Sequence, residues 1–452
     1  MCSVENDTIV ALATPVGEGA ISVIRVSGKE SIETLNQIFV GKSTLSNAPT
    51  HTIHYGKIIS KSREVVDDVL VSVFINPNSY TGENSVEIST HSSTIIVKKI
   101  IELLVNLGAR LAEPGEFTKR AFLNGKIDLA QAEAVADVIN ARTEASLRGA
   151  RNQLDGILSK KVDELREGLL SISSLLELEL DFAEEDLEFL STAKVVEKVE
   201  KIIHEIDSLL RTYSFGRVIR DGVNVALVGK PNVGKSSLLN YILKESRAIV
   251  SETPGTTRDI IREEVSIDGV LFRLFDTAGI RITNDAIEME GVERSRGVVK
   301  EADVVIFIND VLDGYSDELY NKLKELTEEK RIISVMNKID LNRSLKLKSD
   351  VHISALNGEG VEKLFELLKV KSIGGENYSE KNAIVSNVRH YNALKNAKLS
   401  LENAKQSLYD MMSGEYVSVD LRLAEEHLGE IIGKVTTDDI LNNIFSSFCI
   451  GK

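Results

Sequence analysis

Two cysteines among 452 residues, Cys2 and Cys449, leave no disulfide framework to build, and a reducing compartment is expected. No apolar run reaches the length that spans a bilayer, so no membrane contact is expected. The segment from Met1 to Asp7 lacks both the basic and apolar layout of a secretory signal and the arginine-rich pattern of a transit peptide, which makes the cytoplasm the expected location. A basic excess is missing as well: 54 Lys and Arg face 69 Asp and Glu, a formal net charge of −15. That balance argues against a surface coated for nucleic acid and leaves room for a local basic groove. The length corresponds to about three domains of ordinary size.

What the chain does have begins at Gly229-Lys230-Pro231-Asn232-Val233-Gly234-Lys235-Ser236, a complete phosphate-binding loop. Gly229 and Gly234 let the backbone close around an anion so that its N–H groups face phosphate oxygens, and Lys235 adds a point charge for the β and γ oxygens. Ser236 offers a hydroxyl to Mg²⁺. The apolar run Val223 to Val228 reads as a strand before the loop and Ser237 to Leu243 as the opening of a helix after it, the context such a loop requires.

Further signatures follow in order. In Gly255-Thr256-Thr257-Arg258-Asp259 a threonine can place its hydroxyl on Mg²⁺ once a γ-phosphate is present, and Thr257 is the candidate. A hairpin-like stretch, Glu264 to Phe275, leads to Asp276-Thr277-Ala278-Gly279, with an acid for the metal shell and a glycine N–H for the γ-phosphate. The apolar run Ile332 to Met336 precedes Asn337-Lys338-Ile339-Asp340. Asp340 can accept both guanine donors, N1–H and N2–H, whereas adenine would leave the carboxylate unpaired, so GTP rather than ATP is expected. Ser354-Ala355-Leu356 supplies a backbone contact to the guanine oxygen.

Ile280 follows Gly279, where Ras-like enzymes carry the glutamine that orients attacking water. Two residues are candidates for that missing role. The Asn232 amide oxygen can hold a monovalent cation beside the β and γ phosphates, and Glu288 lies in the switch after Asp276. Plainer readings stay open for both: Glu288 as a solvated helix residue among Glu290 and Glu293, and Asn232 as an ordinary turn residue.

The remainder divides by rhythm. Up to about residue 118, short β-branched runs (Ile9 to Ala13, Ile21 to Val26, Thr52 to Ile59, Val69 to Ile75, Val86 to Ser89) alternate with helical stretches near Ser31 to Phe39 and Thr94 to Leu107, a mixed α+β pattern. Long helices are expected from Asn124. Leu154, Leu158, Val162, Leu165, Leu169, Ile172, Leu176 and Leu180 advance in steps of three and four, a core-facing stripe. Downstream, Glu177 to Glu188 is acidic and should repel phosphate backbones. After the nucleotide signatures the helical period resumes at Tyr391, Leu394, Ala397, Leu401, Ala404, Leu408 and Met411, and again at Leu421, Ala424, Leu428, Ile431 and Val435. Helical segments on both sides imply that the nucleotide-binding part is inserted into a discontinuous helical domain. The expected fold is thus α/β and α+β multidomain, with an N-terminal α+β part, a discontinuous helical part and an inserted Ras-like P-loop GTPase. For Cys449, near the end of the chain, a buried structural thiol and a reactive one are both open.

Several further stretches carry a resemblance. They are Thr8-Ile9-Val10-Ala11 with Ala13-Thr14-Pro15, then Pro114-Gly115-Glu116-Phe117 with Arg120-Ala121-Phe122-Leu123-Asn124, then Asp128-Leu129-Ala130-Gln131-Ala132-Glu133-Ala134, and Cys449-Ile450-Gly451-Lys452 at the end. With the inserted GTPase between them, essentially the whole chain resembles the MnmE (TrmE) family of tRNA modification GTPases. The resemblance implies four segments: 1–118 for folate binding and dimerisation, 119–217 as the first helical part, 218–378 as the GTPase domain, and 379–452 as the second helical part. It implies a homodimer that works with an FAD-dependent partner, MnmG (GidA), in a heterotetramer or larger complex. Together they would modify carbon 5 of the wobble uridine of certain tRNAs to an aminomethyl or carboxymethylaminomethyl group. The one-carbon donor would be 5-formyl- or methylene-tetrahydrofolate, and the amine ammonium or glycine.

On matching positions, Arg25, Glu87, Lys126 and Lys452 would contact folate; without the family each reads as a surface charge, or Glu87 as a cross-strand partner. GTP or GDP would meet Asn232, Val233, Gly234, Lys235, Ser236 and Ser237, then Ser251, Glu252, Thr253, Pro254, Gly255, Thr256 and Thr257, then Asp276, Thr277, Ala278 and Gly279, and finally Asn337, Lys338, Asp340, Ser354, Ala355 and Leu356. Ser236 and Thr257 would hold Mg²⁺; Asn232, Ser251, Thr253 and Thr256 would hold K⁺, acting where an arginine finger would. Glu288 would position the hydrolytic water, alongside Lys235, Asn232 and Cys449 as candidate catalytic groups. A rival reading is a ribosome-assembly switch of the Era or Der type, which appends a basic RNA-binding module or a second GTPase domain; this chain shows one GTPase copy and an acidic balance. A third is a folate-responsive regulatory protein.

Overall fold

The computed structural model describes residues 7–181, 192–245, 247–248, 262–276, 296–342, 348–373 and 383–452. By its internal packing the chain forms two compact units, Met1–Ala136 with Leu428–Lys452, and Asp137–His427. Among the described residues no helix is long and apolar enough to cross a membrane.

The first unit is built on a seven-stranded sheet in the order β3-β4-β5-β6-β2-β1-β7. Its strands are β1 (Ile9–Leu12), β2 (Ile21–Ser27), β3 (Phe39–Gly41), β4 (Thr52–Ile59), β5 (Val65–Phe74), β6 (Ser85–His91) and β7 (Arg110–Leu111). All neighbours are antiparallel except β1 and β7. Along β5, Asp67, Val69, Val71 and Val73 are buried while their neighbours face outward, the period-two pattern of a sheet covered on one face. Helices α1 (Ser31–Asn36) and α2 (Thr94–Asn106) supply that cover, with Leu35, Ile100 and Leu104 packed on Ile24, Val26, Val71 and Ile88.

A buried charge network ties α3 (Glu116–Leu123) to the sheet. Arg120 donates to the Asp7 carboxylate at 2.5 Å and to Glu116 at 2.9 Å, and lies 3.3 Å from Glu83. Arg110 adds a 2.7 Å bond to each of Asp7 and Glu116. Burial pushes the Glu116 carboxyl up, but Arg110, the Glu113 amide and Arg120 more than offset this and hold it below its ordinary value. Asp7 behaves likewise between the two guanidinium groups.

The second unit contains the long helices and a second sheet. After α4 (Leu129–Asn140), Thr143 opens α5 (Glu144–Leu154) with a capping box to Ser146. Gly156, at φ 80°, then turns the chain into α6 (Ile157–Asp181). The expected stripe therefore starts one helix later than its spacing suggests: Leu154 closes α5, whereas Leu158, Val162, Leu165, Leu169, Ile172 and Leu176 are the buried face of α6. Helix α7 (Thr192–Arg211) packs with it and with the helix Val388–Tyr409, while Gly414–Ile432 meets α6 where Ser173 donates to Glu425 at 2.9 Å. In 388–409 the inward residues are Leu394, Ala397, Leu401 and Ala404, but Met411 falls past the helix end and is exposed, as is Val435 beyond 414–432. The periodic pattern overran both ends because a hydrophobic residue in a terminal turn costs little when exposed.

The second sheet has the order β14-β13-β12-β8-β11-β10-β9. Here β8 (Val223–Val228), β11 (Val270–Asp276), β12 (Val304–Asp310), β13 (Ile332–Asn337) and β14 (Val351–His352) are parallel, and β10 (Arg262–Ile267) and β9 (Arg247–Ala248) complete an antiparallel edge. Every residue of β12 and β13 is buried, in keeping with their predominantly apolar sequences. Asp268 and Gly269, both with positive φ, make the tight turn of the expected hairpin.

Helix α8 (Tyr213–Asp221) delivers the chain into this sheet, and residues 383–386 take it out again. The two crossings touch: the Val385 amide donates to Thr212 Oγ1 at 2.9 Å, and a Cβ on Gly216 would sit 2.3 Å from the Val385 carbonyl oxygen.

Arg120→Ala is expected to lower local stability around β1 by about 3–5 kcal/mol, since it leaves the largely buried Glu83 without its cation and Asp7 and Glu116 with Arg110 alone. Hydrogen-exchange protection of the Ile9–Leu12 amides reads this directly, and unchanged protection would rule it out. Because Asp7 and Glu116 titrate below ordinary carboxylates, the network's contribution is present above the ordinary carboxylate range and fades as pH falls through the lowered values.

Candidate functional site

β8 is flanked by β11 on one side and β12 on the other, so the strand order reverses at its C-terminal end. Ligands of open parallel sheets bind at such a reversal. The loop Gly229 to Gly234 occupies that point and leads into α9 (Lys235–Glu245), whose first-turn amides face the same space.

Each fixed residue of the loop has a steric reason. A Cβ on Gly229 would lie 2.3 Å from the Ile308 carbonyl oxygen, and one on Gly234 would lie 2.2 Å from Asn337 Nδ2. Gly234 also has φ 98°, and Asn232 takes φ 66°, a left-handed conformation that asparagine tolerates. The Lys235 ammonium donates to the Gly229 and Lys230 carbonyls at 2.8 and 2.9 Å, so it already lies across the loop it serves. Ser236 and Ser237 are exposed in the first turn of α9.

The base side is assembled around Asn337, which is fully enclosed. Its Nδ2 donates to the Val233 carbonyl and its Oδ1 accepts from the Ala355 amide, both at 2.9 Å. Ser354, also enclosed, donates to Asp340 Oδ1 at 2.6 Å and so orients that carboxylate. A cavity of about 480 Å³ opens between these groups, lined by Gly234, Tyr241, Asn337, Lys338, Asp340 and Leu356 among others. Its volume suits a nucleoside. Sequence reading missed Tyr241, whose ring backs Gly358: a Cβ there would meet the phenol oxygen, so only glycine fits.

Asp276 is the last residue of β11, level with Leu227 in the register. Ser251, Glu252, Thr253, Pro254, Gly255, Thr256, Thr257, Thr277, Ala278, Gly279 and Glu288 lie outside the described residues.

A second cluster lies in the first unit. Arg25 on β2 and Glu87 on β6 are direct cross-strand partners, joined through Nε and Nη2 to Oε1 at 2.9 and 2.8 Å. Arg25 also donates to the Gly451 carbonyl at 3.3 Å and lies over the rings of Tyr80 and Phe117 at 5.4 and 5.7 Å. Gly451 is held at φ 94° with no room for a side chain against the Leu12 carbonyl. Burial, then the Arg25 charge, push the adjacent Lys452 ammonium below its ordinary value, with Glu87 opposing. Lys126 is attached elsewhere on this surface, its Nζ donating to the Pro77 carbonyl at 3.0 Å, on the loop that presents Tyr80. Cys449 is exposed, so the buried-thiol reading does not hold. Tyr80 had no sequence signal; Phe117 had one in its Pro-Gly-Glu-Phe stretch.

A phosphate loop at the reversal of a parallel sheet, with Asn337, Asp340 and Ser354 closing the base pocket, defines a Ras-like P-loop GTPase. The family model for the MnmE helical domain matches residues 129–449, and that for the GTP-binding protein TrmE N-terminus matches residues 8–126. The chain belongs to the MnmE family of tRNA modification GTPases. The tRNA modification GTPase MnmE of Aquifex aeolicus is 46% identical over 99% of this chain and 100% of its own length. That of Cytophaga hutchinsonii is 44% identical over 99% and 98%, and that of Carboxydothermus hydrogenoformans 43% over 99% and 100%. Among solved structures, Aquifex aeolicus Era bound to GDP and AlF4⁻ aligns over 39% of this chain and 66% of that one, with 27% identity and a TM-score of 0.28. The G domain of the T. maritima FeoB iron transporter aligns over 33% and 98%, with 29% identity and a TM-score of 0.26.

Gly234→Ala is expected to weaken guanine-nucleotide binding by at least ~10-fold, about 1.4 kcal/mol, since the new methyl occupies the position of the Asn337 amide. Titration with a fluorescent GDP analogue measures it; unaltered affinity would show that the loop does not need this closeness.

Proposed function

We propose that the chain is a K⁺-activated GTPase that acts with an FAD-containing MnmG-type partner to modify carbon 5 of the wobble uridine in certain tRNAs. The observation that carries the nucleotide half is the Asn337 amide joining the phosphate loop to the Ser354–Leu356 loop beside an oriented Asp340. That arrangement accepts the guanine N1–H and N2–H donors and leaves adenine unmatched.

In this reading Gly229 to Gly234 wrap the phosphates and Lys235 moves its ammonium from loop carbonyls to phosphate oxygens. The hydroxyls of Ser236 and Thr257 would hold Mg²⁺, with Asp276 in its outer shell. Asn232, Ser251, Thr253 and Thr256 would hold K⁺, which supplies charge compensation between the β and γ phosphates. The left-handed Asn232 at the loop crest fits that duty, since its backbone conformation directs an amide that is exposed among the described residues. Glu288 would orient the attacking water. Closure of two GTPase domains on each other, and their parting after hydrolysis, would pass the nucleotide state to the helical segments.

Segment 1–118 would bind 5-formyl- or methylene-tetrahydrofolate and form the homodimer, 119–217 and 379–452 the helical domain, and 218–378 the GTPase. Two close cations, Arg25 and Lys452, with Tyr80 and Phe117 beside them, fit a ligand that is both anionic and aromatic. Folate would supply the one-carbon unit; Arg25 and Lys452 would bind its acidic end, Glu87 would hold Arg25 in place, and Lys126 would approach from the Pro77 loop. The exposed thiol of Cys449 is reachable by a substrate, which supports its candidacy as a catalytic group. Self-association is supported by the outer sheet face, where Ile53, Tyr55 and Leu70 are largely exposed. The cytoplasm is the proposed location.

GTP turnover should be much faster in K⁺ than in Na⁺, and Asn232→Ala should remove the difference while GDP binding persists. Equal turnover in the two salts would discard the K⁺ role. Mass spectrometry of tRNA from a deletion strain should show loss of the wobble-uridine side group; an unchanged tRNA profile would discard the modification role and leave a GTPase of other purpose.

A further inference from the structure

We propose that Asp310 is a positioning residue for guanine-nucleotide binding, its buried carboxylate fixing the Lys338 ammonium before a nucleotide arrives. This rests on the reading that the cavity beside Asn337 and Asp340 receives the base.

Asp310 ends β12, opposite Asn337 in the parallel register, and is 3% exposed. Its two oxygens do different work. Oδ1 accepts from the amides of Leu312 and Asp313 at 3.0 and 2.8 Å and so closes the turn after the strand. Oδ2 accepts from Lys338 Nζ at 2.6 Å. The backbones are joined as well, the Val311 amide donating to the Asn337 carbonyl at 3.2 Å.

Lys338 needs such support. It sits at φ 62°, a conformation that side-chain-bearing residues avoid, and its neighbours must impose it. It lines the cavity next to Asp340, yet its ammonium rides on a flexible four-carbon stem whose freedom would be lost on binding. A carboxylate that holds the ammonium in advance removes that loss from the binding step. Burial raises the Asp310 carboxyl, but Lys338 and the Asp313 and Leu312 amides bring it below its ordinary value, so it is ionised at neutral pH. The two lysines of the site are thus prepared differently: Lys235 rests on carbonyls it must leave, and Lys338 on a carboxylate it can keep.

Asp310→Asn separates the two duties, since an amide oxygen still closes the turn while the charge is gone. In the full-length chain, GDP affinity is expected to fall about 10-fold in Asp310→Asn and in Lys338→Met. The double variant should be no weaker than Lys338→Met alone, and kcat at saturating GTP should stay within about twofold while KM rises. Three results would overturn the proposal: GDP affinity in Asp310→Asn within twofold of wild type, a further loss of equal size when Asp310→Asn is added to Lys338→Met, or a fall in kcat in place of KM. Should Asp310→Asn fold poorly, Lys338→Met decides by itself, because unchanged GDP affinity there also overturns it. Wild type is titrated first with GDP and ADP; failure to bind GDP, or equal binding of both, removes the nucleotide reading itself, and this proposal with it.

Discussion

One amide side chain holds the nucleotide site together. Asn337 lies at the end of a strand buried on both faces, and its two polar atoms reach the carbonyl of Val233 and the amide of Ala355 at once. In a dry setting an unmet donor or acceptor costs about 1–3 kcal/mol, so neither loop can drift without leaving Asn337 unpaired. Gly234 follows from this constraint, because the amide occupies the volume a side chain would need. Asp340 and Ser354 follow too, since the loop fixed by Asn337 brings their side chains to 2.6 Å. Sequence separation here is large, from Val233 to Ala355, and the bridge lets the local conformation of one loop depend on the other.

The first unit shows the same economy with charge. Arg25 is held by a cross-strand carboxylate, two rings and a carbonyl from the far end of the chain, which orients its guanidinium plane beside the Lys452 ammonium. The outlying network of Asp7, Glu83, Arg110, Glu116 and Arg120 anchors the segment from which Phe117 projects, so the aromatic wall next to Arg25 is supported by buried ion pairs.

The sequence was most readable where a local pattern and its cause coincide. The phosphate loop, the paired β10–β11 hairpin and the α6 stripe depend on spacing within a few residues, and each stands close to where periodicity and turn chemistry put it. The break at Gly156 was not readable, because leucine spacing runs through it unchanged and only the left-handed glycine stops the helix. Glu87 was read as a cross-strand partner on its residues alone, and it is one; that reading and a binding-site role use the same bond to Arg25. Asp310, Tyr241 and Tyr80 left no trace in the sequence, since their importance comes from residues dozens of positions away.

The crossing of Thr212 and Gly216 with Val385 bears on how the inserted part is joined to its host. A module whose first and last residues are neighbours asks nothing of its host except a gap the width of one hydrogen bond. The nucleotide-binding sheet therefore interrupts the helical part without stretching or re-routing it, and the bare α-carbon at Gly216 is the seam.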